Sequence, residues 1–265
     1  IEKYQVSTMF GAPTMFTMMS QHEAFEGTDF SSVISFNVGS APVPLPLLNI
    51  YASRGVTFCQ GYGLTETSPY VTVLGSKFAT SKIGSAGQSL MFTSVRIVDG
   101  SGHTLANGER GEIWIKGPNV MKGYWNRPQA TAEAVDQDGW FHSGDVGYFD
   151  EDNFLFICDR IKDMVISGGE NIYPAEVESV LFEHSAIAEV AVIGVPNDKW
   201  GELLVAVVVL HAGTSLTLEQ LQEFVGGKLA RYKLPRKLHL VDALPRNPAG
   251  KVQKFILKEQ MSEKG

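Results

Sequence analysis

Asp159-Arg160-Ile161-Lys162-Asp163-Met164-Val165-Ile166-Ser167-Gly168-Gly169-Glu170-Asn171-Ile172-Tyr173-Pro174 decides how the rest of the chain is read. Four of its first five residues are charged, which is hard to bury and so reads as a connection. Met164-Val165-Ile166 is an apolar run short enough for a strand. The Gly168-Gly169 pair lets the backbone turn and another group approach closely. Pro174 suits a first helical turn, with Glu176 and Glu178 near the positive helix end.

Before this stretch, the chain changes character once. Val33–Val38 and Val56–Gln60 read as strands around a helix at Pro44–Arg54, an alternation that argues for an α/β layer with parallel strands. So few strands make a poor sheet alone, and Ile1-Glu2-Lys3-Tyr4 lacks an initiator Met and reads like a helix interior. The chain is therefore expected to start inside a larger fold, with any targeting segment out of view. From Gly84, Val95–Val98 and Glu112–Lys116 alternate as half-buried strands, punctuated by Asp99-Gly100 and Asn107-Gly108, and a helix is expected at Pro128–Ala134. This is antiparallel material for a small barrel or curved sheet.

After the linker the pattern is α+β. Helices are expected at Pro174–Glu183, from a Thr217/Gln220 capping box onward, and at Lys254–Met261. Strands are expected at Val190–Val195, Leu203–Leu210 and Lys237–Val241.

The 265 residues are 44% apolar and 19% charged, which fits a chain with a real core. A net charge of −7 argues against general attraction to nucleic acid or anionic membranes. Lys228, Arg231, Lys233, Arg236 and Lys237 form a local basic patch, read first as a solvated face and second as a contact for ligand phosphates. Two cysteines, Cys59 and Cys158, suggest neither a disulfide framework nor a zinc site, and point to a reducing compartment. No apolar run is long enough to span a membrane.

Four further motifs carry candidate chemistry. Gln60-Gly61-Tyr62-Gly63-Leu64-Thr65-Glu66-Thr67 follows a strand; it offers glycines, an aromatic face, a hydroxyl, and in Glu66 a hard oxygen suited to Mg²⁺. Gly39-Ser40-Ala41-Pro42 also follows a strand and reads by itself as a tight turn. Trp140-Phe141-His142-Ser143-Gly144-Asp145 places a carboxylate after a glycine, as an Asp cap or a ligand for a ribose diol. Pro245-Arg246-Asn247-Pro248-Ala249-Gly250-Lys251 is a rigid loop presenting one lysine, which on the residues alone is a solvated one.

Taken in order, these runs resemble the motifs of acyl-CoA synthetases, in the adenylate-forming superfamily shared with firefly luciferase and peptide-synthetase adenylation domains. The linker resembles their GRxKDxIxxGGExIxPxExE signature, with Asp159 in place of Gly. The other runs resemble YGxTE, WxxTGD with Ser143 for Thr, and PxTxxGKxxR with Asn247 for Thr and Lys254 for Arg.

The resemblance implies an incomplete α/β N-terminal remnant (1–82), a β-barrel-like subdomain (83–159) and a mobile α+β C-terminal domain (160–265) hinged near Lys162. It implies nucleotide binding by Gly39, Ser40, Ala41, Pro42, Gln60, Gly61, Tyr62, Gly63, Thr65, Asp145, Ile157 and Arg160, with Mg²⁺ on Glu66. Catalysis falls to Lys251, Thr65 and Glu66; coenzyme A would meet Ser167, Gly168, Gly169 and Glu170. Phe36, Gly61, Pro69 and Tyr70 are the acyl-pocket candidates, and Tyr70 would cap that pocket. Ile166 stands where luciferase-like members carry a lysine, so no second catalytic lysine is expected.

The implied reaction is ATP-dependent activation of a carboxylic acid to an acyl-adenylate, followed by domain rotation and thioester formation with coenzyme A. Overall similarity favours medium-chain fatty acids, with an aryl acid as the competing substrate. An adenylation enzyme loading a carrier protein and a non-catalytic nucleotide- or coenzyme A-binding module are the alternative readings. A cytoplasmic location fits, and a homodimer is compatible with it. The phosphate-wrapping Ser/Thr/Gly-rich loop of the family is not in this sequence, so the chain alone is expected to be a poor catalyst.

Overall fold

The computed structural model describes residues 1–39, 43–248 and 250–262. Its chain falls into two compact units, Ile1–Cys158 and Asp159–Gly265.

The first unit opens with a 3-10 turn at Glu2–Tyr4, where a helix interior was expected. Then come β1 (Thr8–Gly11), α1 (Pro13–Ser20), β2 (Ser35–Val38), α2 (Leu45–Ser53), β3 (Phe58–Gly63), β4 (Tyr70–Val73) and β5 (Gln88–Ser89). These strands form one sheet in the order β1-β2-β3-β4-β5. The first three are parallel, as the alternation of strands and helices predicts, and β4 and β5 turn the sheet antiparallel.

An aromatic core lies beneath the parallel part. Phe16, Phe25, Phe30, Phe36, Tyr51 and Phe58 are all buried there. Phe36 is fully buried and packs against the rings of Phe16, Phe30, Tyr51 and Phe58. This corrects its reading as an acyl-pocket residue: every face of the ring is already taken by core partners.

The second sheet of this unit contains β6 (Ser94–Val98), β7 (Gly111–Lys116), β8 (Phe141–Phe149) and β9 (Leu155–Arg160), in that order, the last two residues of β9 being counted with the second unit. Pairing is antiparallel from β6 to β8. Between β7 and β8 lies α3 (Pro128–Ala134), begun by a proline at its first position. Ile97, Ile113, Ile115, Phe141 and Leu155 form the core of this layer with Val71 of β4.

The second unit holds β10 (Val165–Ser167), β11 (Glu170–Ile172), α4 (Pro174–Leu181), β12 (Ile187–Asn197), β13 (Gly201–Leu210), α5 (Leu218–Gly226), β14 (Lys237–Leu240) and α6 (Lys254–Ser262). The sheet runs β11-β10-β13-β12, with β14 parallel to β13. Helices cover both faces, so β13 is a continuous apolar run. Leu204, Ala206 and Val208 face the core shared with α4 and α5. Leu203, Val205 and Val207 face the core shared with Leu257 of α6. The Thr217 box is closed by both of its hydrogen bonds, Thr217 N to Gln220 Oε1 at 2.9 Å and Gln220 N to Thr217 Oγ1 at 3.3 Å.

Two expectations fail for a shared reason. Asp159 is buried, not a solvated part of the linker, and Lys233 of the basic patch is buried against Glu176 at 2.6 Å. In both cases partners distant in sequence make burial of the charge tolerable. Among the described residues, no helix is long and apolar enough to cross a membrane.

Tyr51 gives this fold a signature at high pH. Its hydroxyl donates to the Phe16 carbonyl at 2.8 Å, and burial pushes the phenol up to about 12 from 10.0. The folded state thus keeps a proton that the unfolded chain releases. The resulting stability is intact below pH 10 and is lost as pH climbs toward 12, amounting to roughly 2–3 kcal/mol. In urea unfolding across that window, Tyr51→Phe should lose less stability than the wild type by about that amount.

Candidate functional site

The parallel strands β2 and β3 end side by side, and open α/β sheets bind ligands outside such carboxyl ends. Gly39 follows β2, and a Cβ there would stand 3.4 Å from the Gly61 carbonyl. Ser40, Ala41 and Pro42 lie outside the described residues.

The glycines of β3 are required by contact. A Cβ on Gly61 would come within 2.4 Å of the Tyr70 ring, and one on Gly63 within 1.7 Å of the Pro69 carbonyl oxygen. The strand therefore doubles back tightly into β4, with Ser68 in the left-handed region at φ 55°. Tyr70 lies directly over Gly61, so two of the acyl-pocket candidates touch. Gln60 is buried within the strand.

Between the strands, Thr65–Thr67 forms a 3-10 turn that sets Thr65 and Glu66 at its start. Thr67 is fully buried, and its Oγ1 accepts from Leu64 N at 2.9 Å. Asn119 Nδ2 donates to the Thr67 carbonyl at 3.0 Å, and Met121 N donates to the Glu66 carbonyl at 2.7 Å. The Tyr124 hydroxyl donates to Glu66 Oε1 at 3.0 Å. Partial burial, together with that hydrogen bond and the Glu66 charge, raises the Tyr124 phenol.

Asn119 and Tyr124 belong to the block from Gly111 to Trp125, which sequence reading treats as structural only. Their proximity to the 3-10 turn is a tertiary fact with no local signal. Among the described residues no cluster of three acidic, His or Cys side chains forms a metal cage. One oriented carboxylate still suits Mg²⁺, which keeps several waters and takes phosphate oxygens alongside one or two carboxylates.

Tyr62 links this turn to the second sheet. Its hydroxyl donates to Asp145 Oδ2 at 2.8 Å across 83 residues of sequence. Asp145 is 5% exposed, and its amide donates to Ser143 Oγ at 3.0 Å. Gly144 N and the Trp114 indole N–H both donate to Glu112 at 2.9 Å, fixing the turn that presents Asp145. His142 stacks on Trp114 at 3.8 Å, the packing role expected of it. Ile157, half-buried in β9, packs against the core of the same sheet.

In the second unit, Gly168 and Gly169 both take positive φ, 62° and 85°. They form a two-residue hairpin between β10 and β11, where sequence reading runs the loop straight into a helix. Gly168 N donates to the Trp200 carbonyl at 2.8 Å, and the Trp200 ring lies 3.2 Å from a Cβ built on Gly168. Among the described residues, its own chain neighbours aside, nothing stands within 4 Å of a Cβ built on Gly169. Ser167 is buried and Glu170 exposed.

The Lys251 loop is closed by its own side chains. Asn247 Oδ1 accepts from Lys251 N at 2.9 Å, and Arg246 donates to the Gly250 carbonyl and to Glu189, each at 2.7 Å. Lys251 is exposed. Arg160 and Lys162 stand at the start of this unit, in β9 and in the 3-10 turn Ile161–Asp163.

The Tyr62–Asp145 contact is the most exacting of these. Tyr62→Phe should cost about 1.5–3 kcal/mol, the usual worth of a hydrogen bond to a charged group, in urea unfolding of the first unit. An unchanged midpoint would mean that the contact is dispensable.

Comparison with known proteins identifies relatives of the chain. Residues 1–125 match the model of the AMP-binding enzymes, and residues 176–251 match that of the AMP-binding enzyme C-terminal domain. The feruloyl-CoA synthase of Amycolatopsis sp is 47% identical over 254 residues, which are 96% of this chain and 52% of that protein. The long-chain-fatty-acid–CoA ligase FadD13 of Mycobacterium tuberculosis H37Rv is 46% identical over 250 residues, 94% of this chain and 49% of the relative. Among solved structures, the o-succinylbenzoate CoA synthetase of Bacillus subtilis with its acyl-adenylate intermediate superposes with a TM-score of 0.87 at 39% identity, over 98% of this chain and 52% of the other. The same synthetase with ATP and a magnesium ion gives 0.86 at 38%, over 99% and 52%. The chain thus spans about half the length of the curated relatives it matches. It belongs to the family of AMP-binding enzymes.

Proposed function

We propose that the protein to which this chain belongs is an AMP-forming acid–thiol ligase. It would activate a carboxylic acid with ATP and pass the acyl group to coenzyme A. The observation that carries this reading is the hydrogen bond from Tyr62 to Asp145. It joins an aromatic suited to a purine and a carboxylate suited to a ribose diol at the strand ends where a nucleotide would lie. Gly39, Gly61 and Gly63 would contribute backbone groups beside them, with the Cβ space of Gly61 and Gly63 already filled by β4, and Thr65 offers a hydroxyl to a phosphate.

Glu66, oriented by Tyr124, is the residue that would hold Mg²⁺, which would neutralise phosphate charge when bound. In the first step a carboxylate oxygen attacks the α-phosphorus and pyrophosphate leaves. Lys251 stabilises the negative charge that builds on the α-phosphate oxygens. In the second step the coenzyme A thiol attacks the acyl carbon and AMP leaves. Gly169, where the space a side chain would take is open, would give the thiol arm room to pass, with Ser167, Gly168 and Glu170 in the same turn. A rotation of the C-terminal domain about Lys162 exchanges Lys251 for that turn, with Arg160 and Ile157 completing the nucleotide contacts.

We also infer that the β6–β9 sheet is a barrel-like subdomain. The pairing of Gly87 with Leu155 supports this by joining it to the β4–β5 layer.

The relatives act on feruloyl, long-chain fatty and succinylbenzoyl acids by name, so the acid is settled by trial. Carboxylate-dependent pyrophosphate release, with and without coenzyme A, should be measured over aryl and fatty acids for this chain and for a full-length form. Turnover by the full-length form with one acid class is the expected result; none with any acid would overturn the ligase reading. Tyr70→Ala, which uncovers Gly61, should shift preference toward longer or bulkier acids in the same panel. An unchanged preference removes Tyr70 from the acyl pocket.

A further inference from the structure

The first residue of the linker is fastened to the body that follows it. Asp159 is buried, and its two oxygens accept from Arg160 N and from Ala175 N, each at 2.8 Å. Ala175 lies in the first turn of α4, where the helix dipole favours a carboxylate. One turn further on, Glu178 accepts from Lys254 Nζ at 2.7 Å and from Val192 N of β12 at 2.7 Å. Positions three apart share a helix face, so Asp159 and Lys254 dock beside each other on α4. Lys254 opens α6 and stands three residues after Lys251.

Charge balance supports the arrangement. Burial pushes the Asp159 carboxyl up, and the Lys254 ammonium opposes that push. Burial also acts against the Lys254 charge, but Glu178 and Asp159 outweigh it and leave its pKa raised. A buried charge of this kind is stable only while its partners stay, so the contacts form or break together.

We propose that Asp159, Glu178 and Lys254 form a polar latch that fastens the linker to the loop bearing Lys251. Asp159 and Lys254 are then positioning residues for Lys251. While the latch holds, Asp159 moves with the second unit and the chain pivots upstream of it. A pivot at Lys162 requires Asp159 to part from Ala175, so opening the latch is a step in the domain rotation. This deepens the ligase reading and rests on it for its role in turnover. The latch itself can be tested without turnover.

Backbone amide exchange of the chain reads the coupling. Asp159→Asn keeps the side-chain shape and removes the charge. It should speed exchange about tenfold at Ala175, the opening expected on weakening one charged hydrogen bond, and also at Asn247 and Gly250 in the Lys251 loop. Lys254→Met should speed the same two regions, the double variant should add little, and Lys254→Arg should restore slow exchange. If each change affects only its own neighbourhood, or neither affects exchange, the latch is overturned. If Lys254→Met unfolds the unit, Asp159→Asn decides by the same two results. In the full-length form, the latch predicts that Asp159→Asn lowers kcat for pyrophosphate release at unchanged KM for ATP. A ligase that fails to turn over at all would disprove the function and leave the exchange result standing.

Discussion

The Tyr62–Asp145 hydrogen bond is the constraint on which the first unit turns. A carboxylate that is 5% exposed is costly unless it is hydrogen-bonded, so something must meet it inside the protein. Tyr62 does so from the end of β3, on a different sheet. The demand then propagates outward. Asp145 must be presented by a fixed turn, hence the bonds from Gly144 and Trp114 to Glu112. Tyr62 must leave its strand at a fixed angle, hence glycines on both sides of it.

Those glycines act through space more than through flexibility. Neither Gly61 nor Gly63 is among the residues with positive φ, so neither is needed for an unusual backbone. What each provides is the absence of a Cβ, where the returning strand β4 lays a ring or a carbonyl against it. The opposite holds in the second unit. Gly168 and Gly169 occupy the left-handed region, which a two-residue hairpin requires and other residues adopt only under strain. The same letter thus answers two different physical needs.

This difference marks what was legible in the sequence. Proline at a first helical turn, alternating strands and the Thr217 box are local signals, and the elements they predict are present within a few residues. The meeting of Tyr62 with Asp145 has no local signal, and only the family resemblance placed both at one nucleotide. Other readings failed where a local rule met a distant partner. Charge density made Asp159 look solvated, but its partners are Ala175 and, through space, Lys254. Lys233 looked like surface until Glu176 supplied a counter-charge. Phe36 suited an apolar pocket equally well until four neighbouring aromatic rings claimed that part of the chain for the core. The Tyr124 contact with Glu66 was invisible because aromatic residues in a strand-rich block explain themselves by packing.

The departures from the family pattern can be judged by the same physics. A motif position records a requirement, such as a hydroxyl, a loop closure or a charge, that more than one residue type can meet. Ser143 in place of Thr still gives its oxygen to Asp145 N. Asn247 in place of Thr closes the Lys251 loop by accepting from the Lys251 amide. Lys254 in place of Arg keeps a cation against Glu178, and Asp159 in place of Gly lies close enough to share it. A glycine at 159 could not bind Ala175 N through a side chain, and a lysine at 254 has a single ammonium where an arginine has a planar fork. The carboxylate at 159 adds a partner for the lysine and accepts from an amide in the first turn of α4.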